Sequence, residues 1–206
     1  MAKKRQKLVE EIEFKPLPVK DALKQIKDIF SFMLDLAFYA YAWKNRDISK
    51  IVLELEKEVN KLSYFLIMNA ALSARDPESA EAAAVIIKVS EALVDASNAA
   101  ADIACLPLVG ISPHKLVLQA LRKSEEVIES FTIKEEGKLN GIKVSDLEKL
   151  GIYVDVLAIK RQGKMLLSLR DDLSKIKFEP GDLVIVRGND VAIEKFKEVN
   201  GEHEQY

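Results

Sequence analysis

Four polar side chains that could bind a metal ion recur along residues 91–102. They are Glu91, Asp95, Asn98 and Asp102, separated by four, three and four residues. Side chains at these spacings share one face of an α-helix. Carboxylate and amide oxygens are ligands that hard cations such as Mg²⁺ prefer, and iron also accepts them. The pattern therefore indicates either a metal site or the solvated face of an amphipathic helix.

A second set of polar side chains that could bind a ligand is basic. An apolar run, Val154–Ile159, is followed by Lys160, Arg161 and Lys164. The guanidinium of Arg161 can donate two parallel hydrogen bonds to a phosphate, and the two lysines would add positive charge. The pattern indicates either an anion site at the end of a strand or an ordinary polar hairpin turn.

The sequence contains no recognisable set of catalytic residues. Its two histidines are His114 and His203, and Cys105 is its one cysteine, which excludes an internal disulfide and a cysteine-ligated zinc site. We interpret His114 as solvent-exposed and Cys105 as a small core residue. The glycine-rich loops of dinucleotide-binding and triphosphate-binding proteins are both missing. We therefore expect a protein that is not an enzyme.

Composition and charge exclude further classes of protein. Of the 206 residues, 49% are hydrophobic and 31% are charged, which is typical of a folded protein. A net charge of -2 disfavours nucleic acid as a partner. The longest apolar stretch, residues 29–43, is shorter than the ~20 residues that cross a bilayer, and no signal-peptide pattern is present. We expect a cytoplasmic protein without membrane insertion.

Residues 19–130 are predicted to be almost entirely helical. Apolar side chains recur every three or four residues through 19–44 and 47–74. Asp76-Pro77-Glu78 is typical of the start of a third helix, which should end before Pro107. A fourth helix is predicted from Ser112-Pro113 to about Phe131.

Long helices with short connections usually form antiparallel bundles. The third helix is expected to bury Val85, Val89 and Leu93, which lie opposite its acidic face. Because three such helices expose much apolar surface, we expect the bundle to complete its core against a second copy of the chain.

From about Thr132 the pattern becomes typical of strands and turns. Ser145-x-x-Glu148 suggests a capping box for a short helix at 145–150. The later predicted elements are strands at Val154–Ile159, Met165–Leu169 and Leu183–Val186, and a last helix. The sequence therefore predicts an α+β protein with five segments: a tail (1–18), a helical bundle (19–130), a linker (131–137), a small α/β domain with a sheet and flanking helices (138–200) and a tail (201–206).

The order of elements in residues 139–199 closely resembles the TrkA-C domain, the C-terminal module of RCK proteins. Glu179-Pro180-Gly181-Asp182 before an apolar strand resembles the commonest motif of that family, in which the glycine permits the turn and the aspartate caps it. Such modules pair, and some members bind cyclic di-AMP or another anionic ligand between two modules. The resemblance implies a ligand site that comprises Ile159, Lys160, Arg161, Lys164 and Ser168.

The helical part is similar to a different family. Glu56–Asn60 and Glu91–Asp95 resemble the E/D-x-x-x-D motifs of PhoU-like helical domains, which bind metal ions and regulate phosphate transport. One such repeat would cover residues 19–106. The resemblance implies a divalent metal held by Glu56, Glu91, Asp95 and Asp102.

Both resemblances together imply a regulator of potassium or other cation transport. We expect a homodimer, paired through both domains, that senses a small anionic ligand such as cyclic di-AMP or another nucleotide. The expected partner is a membrane cation channel or transporter. The alternatives are a metal-binding regulator that uses the acidic helix face, and a structural dimer without a ligand.

Overall fold

The computed structural model describes residues 17–121 and 126–201. The predicted tails lie almost wholly outside these residues, and so does His203. The described residues form an α+β protein, with three long helices first, then a four-stranded antiparallel sheet and a C-terminal helix. This arrangement confirms the predicted α+β class, with helices first and a sheet after them.

Three long helices fill the first half of the chain. They are α1 (Val19–Ala42), α2 (Arg46–Ser73) and α3 (Pro77–Cys105). Their apolar residues at helical spacing are buried, as Ile26 and Met33 in α1 and Leu55 and Leu66 in α2 show. The predicted start of α3 is confirmed, because the Asp76 carboxylate accepts the backbone N–H of Ser79 at 2.8 Å and Pro77 begins the helix.

The buried face of α3 differs from the predicted one. Val85 and Val89 were expected in the core, yet 61% of Val85 and 46% of Val89 are exposed. The helix buries a face of small side chains instead, which comprises Ala83, Ser90, Ser97, Ala100, Ala101 and Ala104. Small side chains let helices approach closely, and the Ser90 and Ser63 hydroxyls are 2.8 Å apart between α3 and α2.

The predicted fourth helix is wrong from Val127 onward. Helix α4 spans only Lys115–Leu121, and Val127–Thr132 form strand β1. Ile128 and Phe131 of β1 are buried, and the whole strand pairs with a later strand. The periodic apolar residues of 115–131 suit a helix locally, but sheet pairing overrides that preference. Phe131 and Ile133 are therefore core residues, although a linker was predicted there.

The sheet has the strand order β1-β4-β2-β3, with every neighbouring pair antiparallel. Its other strands are β2 (Asp155–Arg161), β3 (Lys164–Leu167) and β4 (Leu183–Gly188). Helix α5 (Asp190–Asn200) follows β4. Residues 144–150 form a 3₁₀ helix without a side-chain cap, so the predicted capping box of Ser145 and Glu148 is wrong. The short helix itself is present.

The core of the C-terminal part lies between the sheet, α5 and the loop at 176–178. Phe196 of α5 is completely buried, with its ring centroid 5.0 Å from that of Phe131 and 6.3 Å from that of Phe178. Val184 and Val186 of β4 belong to the same cluster. This cluster fixes α5 on the sheet.

The chain divides into two compact units. Among the described residues, the first unit comprises 17–37 and 49–106, and the second comprises 38–48, 107–121 and 126–201. The tip of the α1–α2 hairpin, residues 38–48, thus belongs to the second unit. Its Asn45 Nδ2 donates to Ser130 Oγ of β1 at 2.9 Å, and the Tyr39 hydroxyl donates to the Glu126 carbonyl oxygen.

None of the helices in the described ranges, 17–121 and 126–201, combines the length and the apolar character needed to cross a membrane.

Candidate ligand-binding surface of the C-terminal unit

Arg161 lies at the end of β2 and is held by several groups of its own chain. Its Nε donates to Asp182 Oδ1 and its Nη2 to Asp182 Oδ2, both at 2.7 Å. Its Nη1 donates to Glu179 Oε1 at 2.5 Å, and Nη2 also donates to the Lys177 carbonyl oxygen at 2.7 Å. These contacts form what we call the Arg161 clamp.

The clamp holds the turn before β4. Only 1% of the Asp182 side chain is exposed, and its Oδ2 also accepts the backbone N–H of Glu179 at 2.9 Å. The hydrogen bond with Asp182 is the main cause that raises the pKa of Arg161 above its ordinary value. Gly181 has a φ of +83°, a backbone conformation that residues with a side chain rarely adopt. The predicted structural roles of Gly181 and Asp182 are confirmed.

The five residues predicted to bind an anionic ligand do not lie on one surface. Ile159 is completely buried in β2, and the Arg161 guanidinium is engaged in the clamp. Successive side chains of a strand point to opposite faces, so Lys160 lies on the other face from Arg161. Lys164 and Ser168 are exposed. A role for Lys160, Lys164 and Ser168 in ligand binding stays a prediction.

Two open recesses lie elsewhere in the second unit, at the start of α5. The first has a volume of about 500 Å³ and extends from the 3₁₀ helix to the ends of β2 and β4. The second has a volume of about 870 Å³ and runs along the outer side of α5. Both volumes are of the size that holds a small organic ligand. We call them the β recess and the α5 recess.

Tyr153 and Asn189 line both recesses. Tyr153 is 70% exposed and Val191, which lines the α5 recess, is 79% exposed. Exposed rings of this kind are common in binding surfaces, because one face can stack on a ligand. The two recesses and these side chains therefore form one candidate surface.

A helix cap and close packing constrain the backbone at this surface. Asn189 caps α5, and its Oδ1 accepts the N–H of Ala192 at 2.9 Å. A Cβ atom at Gly188 would lie 3.0 Å from Cγ1 of Val154, so the Val154 side chain would have to shift to accept a larger residue there. The first N–H groups of α5 lie at the positive end of the helix dipole, where negative charge is favoured.

Charged side chains of both signs line the β recess. Arg187 Nη2 donates to Asp155 Oδ2 at 2.8 Å, and Arg187 Nε lies 3.5 Å from Glu126 Oε2. Glu148 adds a third carboxylate. The recess thus offers acceptors for amino and hydroxyl groups, whereas the start of α5 offers donors. The sequence signal for this site was Gly188-Asn189-Asp190, which lies between a predicted strand and the predicted last helix and was not interpreted as part of a site.

The four predicted metal ligands do not come together. Across residues 17–121 and 126–201, no three His, Cys, Asp or Glu side chains are placed to hold a metal ion. Glu91 Oε2 instead lies 3.3 Å from Lys88 Nζ. Burial and then the charge of Asp102 raise the pKa of Glu56, so these two carboxylates interact with each other but not with a third ligand. A metal-dependent role for the acidic face has no support from this geometry.

Cys105 and His114 have ordinary surroundings. Cys105 is half-buried, so its predicted place in the core is wrong, and burial is the main cause that raises the pKa of its thiol. His114 is exposed as predicted, and its Nδ1 accepts the N–H of Leu116 at 3.3 Å just before α4 begins.

Replacing Glu56 with glutamine should stabilise the first unit near pH 7. Burial, then the charge of Asp102, raises the pKa of Glu56 above 4.5, so the ionised form destabilises the folded state. This destabilisation is fully present at pH values above the pKa of Glu56 in the folded chain. It is absent at pH values below the pKa of Glu56 in the unfolded chain. We expect Glu56→Gln to raise the unfolding temperature at pH 7. At a pH far below 4.5, we expect it to leave the unfolding temperature unchanged. Exposed Glu81→Gln is the control, and an equal effect of both substitutions would contradict the explanation.

Comparisons with known proteins reveal no family for this chain. No protein-family model matches it, and neither does any curated protein. Among solved structures, S. agalactiae BusR in complex with its busAB-promotor DNA is 13% identical, with a TM-score of 0.34, over 89% of this chain and 98% of that one. At this level of similarity, neither the fold nor the DNA binding of BusR is transferred to this chain.

Proposed function

We propose that the protein is a cytoplasmic regulatory subunit of a cation transport system, with potassium as the expected ion. Its second unit binds a small anionic effector and its helices transmit the binding to a membrane channel or transporter. The resemblance of residues 139–199 to TrkA-C modules, and of 19–106 to a PhoU-like repeat, supports this role. The observation that carries it is the surface formed by Tyr153, Asn189 and the two recesses.

The chemistry of this surface favours a nucleotide as the effector. The exposed ring of Tyr153 offers a platform on which a base can stack. The first N–H groups of α5 can donate to a phosphate, although Asp190 in the same turn adds a negative charge. The carboxylate of Glu148 can accept amino or hydroxyl groups. Cyclic di-AMP and AMP both have these parts. This proposal places the effector at Tyr153 rather than at Arg161, whose donors are already engaged.

The hairpin tip supplies a route from the sheet to the long helices. Residues 38–48 belong to the second unit, and Asn45 contacts Ser130 on β1. Helices α1 and α2 continue from this tip into the first unit without interruption. A ligand that prefers one arrangement of the second unit would shift the population of the tip and hence of these helices.

Thermal unfolding of the full chain with cyclic di-AMP, AMP and ATP tests the proposal. A ligand of the folded state raises the unfolding temperature in a concentration-dependent way. We expect a shift with at least one nucleotide, and its loss in Tyr153→Ala. Tyr64→Ala is the matched control, because Tyr64 is an exposed tyrosine of the first unit, 47% exposed. No shift with any nucleotide, or an unchanged shift in Tyr153→Ala, would refute the proposed site.

A further inference from the structure

Strand β3 forms one edge of the sheet. In the strand order of the described residues it pairs only with β2. Three apolar residues follow one another in this strand, namely Met165, Leu166 and Leu167. An edge strand presents backbone N–H and C=O groups with which a strand of another molecule can pair, and apolar edges are the most prone to such pairing. The β3 edge is therefore a place where chains would associate unless something covers it.

The backbone groups of Met165 and Leu167 face away from β2. Residues of an antiparallel strand alternate between bonding to the neighbouring strand and facing away from it. The N–H of Ser168 donates to the carbonyl oxygen of Leu157 in β2 at 3.0 Å, so the preceding Leu167 faces outward. Met165 lies two residues before Leu167 and shares its orientation. These two residues therefore present two N–H and two C=O groups at the edge of the sheet.

The turn that follows β3 occupies three of these four groups. Asp171 Oδ2 accepts the N–H of Leu167 at 2.8 Å. The carbonyl oxygen of Leu167 accepts the backbone N–H groups of Arg170 and Asp171, at 3.0 and 2.8 Å. Arg170 Nη2 donates to the carbonyl oxygen of Met165 at 3.3 Å. Arg170 Nε also lies 3.5 Å from Asp171 Oδ2, so the two charged side chains hold each other at the edge. We call Arg170 and Asp171 the β3 cap.

We propose that the β3 cap closes this edge of the sheet to strand addition and so keeps the second unit from associating through β3. An added strand would need the backbone groups that the cap holds, and it would have to displace two charged side chains from the edge. The inference goes beyond the proposed function, because it excludes β3 as the surface through which the expected homodimer pairs its C-terminal parts.

Removal of the cap in the full chain tests the proposal. The Arg170→Ala/Asp171→Ala variant loses one charge of each sign, so its net charge equals that of the parent. Its mass is measured by light scattering after gel filtration over a range of concentrations. We expect at least a doubling relative to the parent at the highest concentration. The matched control is Asp172→Ala/Lys175→Ala, which removes an exposed ion pair of the same loop and should keep the mass of the parent.

A proline on β3 separates pairing at the edge from association through unfolding. Because the N–H of Met165 faces outward, Met165→Pro removes no hydrogen bond with β2, yet it takes a donor from the edge. Adding Met165→Pro to the variant without the cap should return its mass to that of the parent. If the variant associated because it was unfolded, this proline would not lower the mass, since it adds no contact to the folded state.

Three results would overturn the proposal. The first is an unchanged mass in Arg170→Ala/Asp171→Ala, which would show that the edge stays closed without the cap. The second is failure of Met165→Pro to reverse the association. The third is a lower mass when Met165→Pro alone is introduced into the parent, because β3 would then already pair in the natural chain. None of these results concerns the nucleotide surface, which the thermal unfolding experiment tests independently.

Discussion

Replacing Arg161 with alanine is expected to destabilise the second unit by about 3 kcal/mol or more. The substitution leaves the carboxylate of Asp182, only 1% exposed, without its bidentate partner. Removing one member of a buried ion pair costs far more than the pair contributes, because the other charge stays buried. Since Asp182 also fixes the turn before β4, the loss should reach the centre of the sheet.

Urea denaturation followed by the fluorescence of Trp43 measures this effect. Trp43 is the one tryptophan of the sequence and belongs to the second unit. Arg161→Lys should be intermediate, because lysine keeps the charge but cannot form the two parallel hydrogen bonds. Arg170→Ala is the control, because Arg170 is more exposed and pairs with the adjacent Asp171. A loss below about 1 kcal/mol in Arg161→Ala, the range of a surface pair, would show that the clamp is not structural.

The structural role of Arg161 limits its use as a probe of ligand binding. Arg161 was predicted as an anion ligand because a guanidinium at a strand end suits a phosphate. In the structure, the same geometry serves two carboxylates and a carbonyl of the chain itself. A ligand effect that disappears in Arg161→Ala would therefore reflect a weakened domain. The exposed Tyr153 and Val191 are the better positions for substitution.

The long helices were predictable because their signals are local. Apolar spacing and the Asp76-Pro77 start place α1, α2 and α3 within a few residues of their observed bounds. The turn at Gly181-Asp182 was predictable for the same reason, since its geometry depends on adjacent residues. Local sequence thus determines where these elements begin and end.

Features that depend on distant residues were not predictable in this way. Strand β1 forms because β4, more than 50 residues later, offers it a partner from Val127↔Gly188 to Thr132↔Leu183. The buried face of α3 depends on which neighbour its helix meets, and the pattern of apolar residues did not distinguish its two apolar faces. The clamp joins Arg161 to Asp182, which are 21 residues apart. The α5 recess likewise combines residues of α5 with Gly151 and Tyr153, which lie more than 30 residues earlier in the chain.

The ring of Phe196 anchors helix α5 to the sheet. Phe196→Ala is expected to destabilise the second unit by about 3–5 kcal/mol, the usual cost of removing a buried phenyl ring. The ring is completely buried between Phe131 of β1 and Phe178 of the loop. Its loss would leave a cavity where α5 meets the sheet. The measurement is again urea denaturation, with Trp43 fluorescence as the probe of the second unit.

A substitution on the opposite side of the same helix separates stability from binding. Val191 is 79% exposed and lines the α5 recess, so Val191→Ala should leave the unfolding free energy within about 0.5 kcal/mol of the parent. It should nevertheless weaken a nucleotide-induced thermal shift, because it removes apolar surface beside Tyr153. Phe196→Ala should reduce both quantities, since α5 must be anchored on the sheet to form the α5 recess. If Phe196→Ala were as stable as Val191→Ala, the aromatic cluster would not be what holds α5 on the sheet.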